Sequence, residues 1–296
     1  MEQPGTLLRK RLEKLEQMPT LPVALAPLLK YLDQPIDQLD IQEVVNLISQ
    51  DQSLTAQCLK MANSPAFGRW QKIDSIRGGL VALGLQRMRD IAVSCSVLRL
   101  TPNSQVSMDP VVFSEHSFGC ALVCRQFARA IKFADPSKAY LCGLLHDIGI
   151  VAHLWILPNE FAATLEIAQR RHIPLHQAEN ATLGCSHAET GRQVAENWRL
   201  GAEVIETIGW HHDPSGATSH RALVALVGLS DLLCRMSGLG YGYIEQRQVS
   251  FLEEPGFALL LEECPALQTF DWARFTFEMD GYVEEVRRLV TALYRT

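Results

Sequence analysis

Five of the chain's nine histidines stand in one ordered series with two aspartates: His116, then His146-Asp147, then His187, then His211-His212, then Asp231. The gaps are 30, 40, 24 and 19 residues, and the segment around each member reads as helix. Metal centres inside helical bundles are built this way, with one or two inward-pointing ligands per helix. Neutral imidazole and carboxylate together suit iron, manganese, zinc or nickel better than calcium or magnesium. The series therefore predicts a metal-binding helical protein, with His116, His146, Asp147, His187, His211, His212 and Asp231 as candidate ligands of a transition metal.

No single member of the series carries that reading. Nine His and thirteen Asp in 296 positions give about 0.4 His-Asp pairs by chance, and the chain has two, the second being His212-Asp213. Context separates them. His146-Asp147 sits in the apolar segment Ala139-Tyr-Leu-Cys-Gly-Leu-Leu-His-Asp-Ile-Gly-Ile, where two adjacent ionisable groups are costly to bury without compensation. Successive helical residues diverge by roughly 100°, so both can serve one centre only beside a helix end, and Gly149 is consistent with such an end. His211-His212 likewise follow an apolar helix that Pro214 stops. Taken alone, His116 and His187 read as hydrogen-bonded core or rim histidines, and Asp231 as a lone acid in an apolar helix that needs a partner. His153, His172, His176 and His220 lie outside the series and read as structural or surface residues.

The elements that must position these residues are helical. Apolar residues 41, 44, 45 and 48 form one stripe in the segment from Leu39. The next helix has Asp51 or Ser53 as its N-cap and stops near Asn63, because Pro65 disfavours helical geometry in the residue before it. Gly78-Gly79 and Gly84 punctuate a further pair of short helices. Alternating strand patterns are nearly absent, so the fold class is all-α: a multi-helix bundle with an N-terminal helical subdomain packed on a second helical domain. Thr101–Pro110 is the longest polar, turn-rich stretch within the chain. It separates an N-terminal half of residues 1–100, without a histidine, from residues 111–236, which hold the series. The segment Ser237-Gly-Leu-Gly-Tyr-Gly-Tyr243 reads as a loop before a helical tail over 237–296 that ends in the amphipathic stretch Tyr282–Tyr294.

Composition narrows the function classes. The chain is 47% hydrophobic and 20% charged, with a net charge of −6, which argues against disorder and against a general affinity for nucleic acid or anionic membrane. Basic residues at helical spacing (Arg125, Arg129 and Lys132; Arg170 and Arg171) read as solvated faces. The start lacks an apolar leader, and the apolar stretch Leu141–Leu157 is interrupted by His146, Asp147 and His153, which argues against a membrane span. The eight cysteines form no Cys-x-x-Cys pair and read as reduced core thiols. A cytoplasmic protein without nucleic-acid or membrane partners is the expectation.

The series resembles that of the HD superfamily of metal-dependent phosphohydrolases, and Leu145-His-Asp-Ile-Gly is similar to its HDIG signature. Met18-Pro-Thr-Leu-Pro-Val-Ala-Leu, Ile48-Ser-Gln-Asp-Gln-Ser-Leu-Thr-Ala, Lys60-Met-Ala-Asn-Ser-Pro-Ala-Phe-Gly and Leu83-Gly-Leu-Gln-Arg-Met-Arg resemble the HDOD domain, a bacterial signalling relative, over about residues 15 to 235. That resemblance implies an HD-like fold for residues 111–236. It also implies a regulatory module that docks a protein partner through its N-terminal helices, with a nucleotide as a further candidate ligand. The alternative it implies is a phosphohydrolase acting on a nucleotide or cyclic dinucleotide, with a metal-held water at His146 and Asp147. Three departures from the HD-GYP phosphodiesterases weigh against hydrolysis. Ile150 stands where they place a phosphate-binding lysine, and Ser215-Gly-Ala-Thr-Ser replaces their Gly-Tyr-Pro segment. Val112 stands where some carry an acid before the first histidine, with Glu115 nearby. A third reading, in which the histidines are a metal-free relic, predicts a melting temperature indifferent to demetallation.

Overall fold

The computed structural model describes residues 25–30, 40–64, 67, 72–102, 108–246 and 250–294, and none of the described residues forms a strand. The fold is all-α, as the periodicity predicts. The chain divides into two compact units, one holding residues 101–283 and the other residues 19–100 with 284–296. The segment after residue 237 is thus shared between them. Most of the stretch Met18–Leu25, and Pro65, Ala66 and Gly68, lie outside the described residues, as do residues 103–107 of the polar stretch.

The smaller unit contains α1 (Leu25–Lys30), α2 (Ile41–Ser49), α3 (Gln52–Ala62), α4 (Ile76–Leu83) and α5 (Leu85–Leu98). The Asp40 carboxylate accepts from the Gln42 and Glu43 amides at 2.7 and 3.3 Å and starts α2. Asp51, rather than Ser53, caps α3 by accepting from the Leu54 amide at 2.9 Å. Of the expected α2 stripe, Val44 and Ile48 are buried and Val45 half-buried, but Ile41, the first residue of the helix, is 55% exposed. Gly84, at φ 83°, takes the left-handed conformation that ends α4 and lets α5 begin at once. α5 packs on α1, α2, α3 and α4, and every residue from Met88 to Leu98 is buried.

The larger unit contains α6 (Pro110–Ala130), α7 (Pro136–Leu145), α8 (Ile148–Ile156), α9 (Pro158–Arg171), α10 (Leu175–Thr182), α11 (His187–Asn197), α12 (Ala202–Trp210), α13 (Arg221–Met236) and α14 (Pro255–Glu263). α6, α7 and α13 pack on one another, α8 packs on α11, and α12 packs on α7, α11 and α13. Phe118, Phe127 and Phe161 are fully buried, each such side chain contributing on the order of 1.5–3 kcal/mol. Residues Pro136–Ile156 are long and apolar enough to cross a membrane, yet 94% of their most apolar window is buried within the protein, as in a core helix. The eight cysteines are free thiols, and Cys120 and Cys124 lie with their sulfurs 3.9 Å apart. The amphipathic stretch expected over Tyr282–Tyr294 is the second half of a longer helix, α15 (Trp272–Tyr294).

Gly149 does not end a helix. It lies in the first turn of α8, where a Cβ would overlap the His187 carbonyl oxygen and sit 2.7 Å from the Gly191 amide nitrogen. The glycine is needed for the close approach of α8 to α11, which carries His187.

Candidate metal centre

The centre is built largely from helix ends. α7 stops at Leu145 and α8 starts at Ile148, so His146 and Asp147 occupy the break between them. A helix end leaves its last carbonyls without intrahelical donors. His146 satisfies one by turning back, its Nδ1–H donating to the Gly143 carbonyl at 2.7 Å. His211 closes α12 in the same way, donating from Nδ1 to the Ile208 carbonyl at 2.8 Å. His116, within α6, donates from Nδ1 to the Leu239 carbonyl at 2.7 Å. His187 opens α11 behind a capping box of Ser186 and Glu189, and its Nδ1 donates to Glu179 Oε2 at 2.6 Å. Carbonyls and an ionised carboxylate only accept. Each ring therefore keeps its hydrogen on Nδ1 and, when neutral, presents a bare Nε2 lone pair.

Those four Nε2 atoms converge on Asp147. Its Oδ2 lies 3.2 Å from His116 Nε2 and 3.3 Å from His146 Nε2; its Oδ1 lies 3.1 Å from His187 Nε2 and 3.6 Å from His211 Nε2. His212 adds a nitrogen, with Nε2 2.8 Å from His187 Nε2. Asp231 faces His116 Nε2 across 3.4 Å through Oδ1, and His212 Nδ1 across 3.9 Å through Oδ2. All seven residues expected from the sequence thus meet. They form two sets with ligand atoms within 4.8 Å of one another: Asp147, His187, His211 and His212, and His116, His146 and Asp231. His212 is half-buried and the other six are buried.

The residues fit a transition-metal cation. Among the described residues, His211 Nε2 is buried without a hydrogen-bond partner and Asp147 Oδ1 is buried against the ring nitrogens of His187 and His211, and a buried polar atom costs roughly 1–3 kcal/mol when nothing satisfies it. Ring nitrogens also face ring nitrogens, His116 to His146 at 3.2 Å and His187 to His212 at 2.8 Å. That contact is repulsive between two lone pairs and favourable when a proton or a metal lies between them.

Charge follows the same geometry. Burial alone would raise Asp147, but the surrounding imidazoles, His146 and His187 first, hold its carboxyl well below the usual range. Burial works against a charged His187, yet the Glu179 and Asp147 carboxylates raise it to about 10. Burial, reinforced by His146, lowers His211 to about 3, and burial with the adjacent His211 lowers His212 as well.

A family model for the HDOD domain matches residues 18–214, which is two thirds of the chain. The chain belongs to the HDOD domain family. An uncharacterised protein of Treponema pallidum (strain Nichols) is 28% identical to this HDOD protein over 227 residues, which are 75% of the present chain and 43% of the relative. The chain therefore spans less than half of that relative's length. An HDOD domain protein of unknown function from Geobacter sulfurreducens superimposes with a TM-score of 0.84, at 28% identity and over 98% of each chain. A Shewanella amazonensis SB2B protein named as a candidate phosphohydrolase matches with a TM-score of 0.72 and 21% identity, over 95% of this chain and 97% of its own. The last likeness speaks for the fold alone.

Several residues of the HDOD centre were not singled out in the sequence. The Tyr241 hydroxyl donates to Asp147 Oδ2 at 2.7 Å, and its ring centroid lies 4.7 Å from that of His116. The segment Ser237–Tyr243, expected as a mere separator, therefore supplies both this hydroxyl and the Leu239 carbonyl that orients His116. No local signal marks Tyr241, which is 94 residues from Asp147. Glu179 is buried and bridges His187 to His153, whose Nδ1 lies 3.1 Å from Oε1 and whose Nε2 bonds Thr190 Oγ1 at 2.9 Å. The partner that Asp231 requires is Arg235, one turn on, through two contacts of 3.0 Å. That pairing was readable as an acid and a base at i, i+4. His172 is exposed and His220 half-buried, in keeping with their reading. His176 is structural rather than on the surface: half-buried, it stacks on His212 with ring centroids 4.1 Å apart. Arg125 is not on a solvated face; it is buried, with its guanidinium 4.6 Å from the Tyr140 ring centroid.

A pocket of about 330 Å³ opens onto one side of the centre and is lined by His176, His211, His212, Asp231, Arg235 and Glu254, among others. Its one lining guanidinium is held by Asp231 and also by both oxygens of Glu245, at 2.8 and 2.7 Å.

Proposed function

We propose that this HDOD protein is a signalling module whose seven-residue His/Asp centre binds one or two transition-metal ions and senses a ligand or supports docking of a protein partner. The observation that carries this reading is the set of oriented Nε2 atoms around Asp147, whose Oδ1 faces the His187 and His211 ring nitrogens, with His211 Nε2 left without a hydrogen-bond partner among the described residues. Docking through the N-terminal helices draws support from Ile41 and Val81, which are exposed on α2 and α4, two helices that pack on each other. The pocket chemistry supports sensing over phosphate turnover. It is lined by the carboxylates of Asp213, Asp231 and Glu254, and its one arginine is already neutralised by two acids. Phosphoryl chemistry needs uncommitted cations to offset the phosphate charge. Iron, manganese, zinc and nickel all suit the donor set.

Elemental analysis of the purified protein tests the reading. Wild type should carry a stoichiometric transition metal, and His146→Ala should carry less. A metal-free wild type that neither binds added metal nor changes its melting temperature would sink it.

One observation favours a second reading, metal-dependent hydrolysis of a nucleotide or cyclic dinucleotide: the pocket reaches His211, His212 and Asp231. A divalent metal bound there would supply Lewis acidity and a hydroxide-like water near neutral pH. The residues would orient it from His146 and Asp147. Turnover of a phosphodiester panel that disappears in His146→Ala, with the fold intact, would favour this reading, and its absence at full metal loading would exclude it.

A further inference from the structure

The solvent face of α15 carries a large exposed ring beside an unexplained glycine. Phe277 is 81% exposed. A lone exposed apolar side chain needs no explanation, but the residue one turn on is Gly281, exposed and in the middle of the helix. After proline, glycine is the poorest helix former. Gly149 and Gly191 sit in their helices because a neighbouring backbone comes too close for a side chain, whereas a Cβ at Gly281 would meet nothing within 4 Å. Nothing among the described residues requires this glycine, and it leaves bare backbone next to the ring. Ala273, one turn before Phe277, is exposed as well, so the ring stands between two small residues on one face. Arg274 and Asp280 are exposed three residues to either side of Phe277. At roughly 100° per residue they flank the ring on opposite edges of the face. All five residues belong to the unit of residues 101–283.

We propose that this face docks a second copy of the chain, α15 against α15, in a weak antiparallel dimer whose two-fold axis passes at Phe277. A two-fold contact must be complementary to itself, and this face meets that condition in shape and in charge. The axis sets position 273 against position 281 of the copy, so Ala273 lies on Gly281 and the helices can approach closely. Helical side chains lean toward their own N-terminus. Each Phe277 ring therefore lies over the copy's Gly281, in the space that a side chain there would fill. The same axis sets position 274 against position 280, so each Arg274 faces an Asp280 of opposite charge. Arg274 already holds Glu278 at 2.9 Å through Nε, and the copy's Asp280 meets its terminal nitrogens. A parallel arrangement would instead set Arg274 on Arg274 and Asp280 on Asp280, which like charge disfavours. One helix face of this extent belongs to the small, transient class of interface.

Sedimentation equilibrium of the full chain from about 10 μM to about 1 mM tests the dimer. Wild type should pass from monomer to dimer across that range. Phe277→Glu should raise the dissociation constant about tenfold or more. Gly281→Leu should weaken association to a similar degree while raising the melting temperature of the dilute monomer, because leucine is the better helix former. Asp280→Arg should weaken the dimer by setting Arg on Arg, and the double variant Arg274→Asp/Asp280→Arg should restore it. Each substitution falls on an exposed position, and thermal melting confirms that each variant folds. A wild type that stays monomeric to the highest concentration overturns the proposal. So does a dimer indifferent to both Phe277→Glu and Gly281→Leu, or one that the charge swap weakens as much as Asp280→Arg alone.

Discussion

At Glu179 one buried carboxylate accepts from the ring and the amide nitrogen of His187 while also contacting His153. A carboxylate behind a metal-binding histidine orients the ring and raises its basicity, and losing it typically lowers metal affinity about 10- to 100-fold. Glu179→Gln should show a loss of that size in metal titration. The pH dependence has a definite sign. Burial alone would raise the carboxyl, but His187 and His153 hold it at about 2 against an ordinary 4.5. A depressed folded value means the stabilisation is present above 4.5 and lost as pH falls from 4.5 toward 2. Urea midpoints measured against pH should therefore fall more steeply over that interval in wild type than in Glu179→Gln. His187 behaves in the opposite sense. Raised to about 10, it holds a proton at neutral pH that a metal must displace. Calorimetric binding heats at pH 7 should vary with the ionisation enthalpy of the buffer, showing proton release. Heats independent of the buffer would mean that His187 is not displaced.

Among the helices, the decisive contact is the approach of α8 to α11. Asp147 precedes the first, His187 opens the second, and Gly149 and Gly191 let their backbones meet. In Gly149→Ala the added methyl meets a backbone carbonyl rather than the end of a flexible side chain, so overpacking should cost about 1–3 kcal/mol or more. The same shift would part Asp147 from His187. Denaturant melts and metal content should therefore fall together. A variant that loses stability while keeping its metal would show that the spacing of these two helices does not control the site. The break between α7 and α8 has a similar logic. His146 and Asp147 can share one centre because neither lies within a continuous helix, and His146 caps the carbonyl that the break exposes.

For the molecule as a whole, the seven candidate ligands all belong to the unit of residues 101–283 and none to that of residues 19–100. A ligand that binds only the folded state at 100 times its dissociation constant adds about 2.7 kcal/mol. Chelation should therefore reduce amide-exchange protection in α6, α7, α8, α11, α12 and α13 and leave α3 and α5 largely unchanged; equal loss in both units would contradict a centre confined to one. The ligand series was legible in the sequence because ionisable residues in apolar helical segments stand out as costs that something must compensate. The helix limits at Asp51 and Asn63 were legible because caps and prolines act on the residues next to them. The reach of Tyr241 and of the Leu239 carbonyl was not, since both act on residues more than ninety positions away through contacts that no local pattern encodes. The role of Gly149 was misread for a related reason: a glycine that ends a helix and one that admits a neighbouring backbone look identical in one dimension. By itself the sequence determined the helical class and which side chains required a common partner, because periodicity and burial cost are local properties. Only the tertiary structure decided which nitrogens face Asp147, which carboxylate an arginine already holds, and where the pocket opens, because these depend on how separate helices pack.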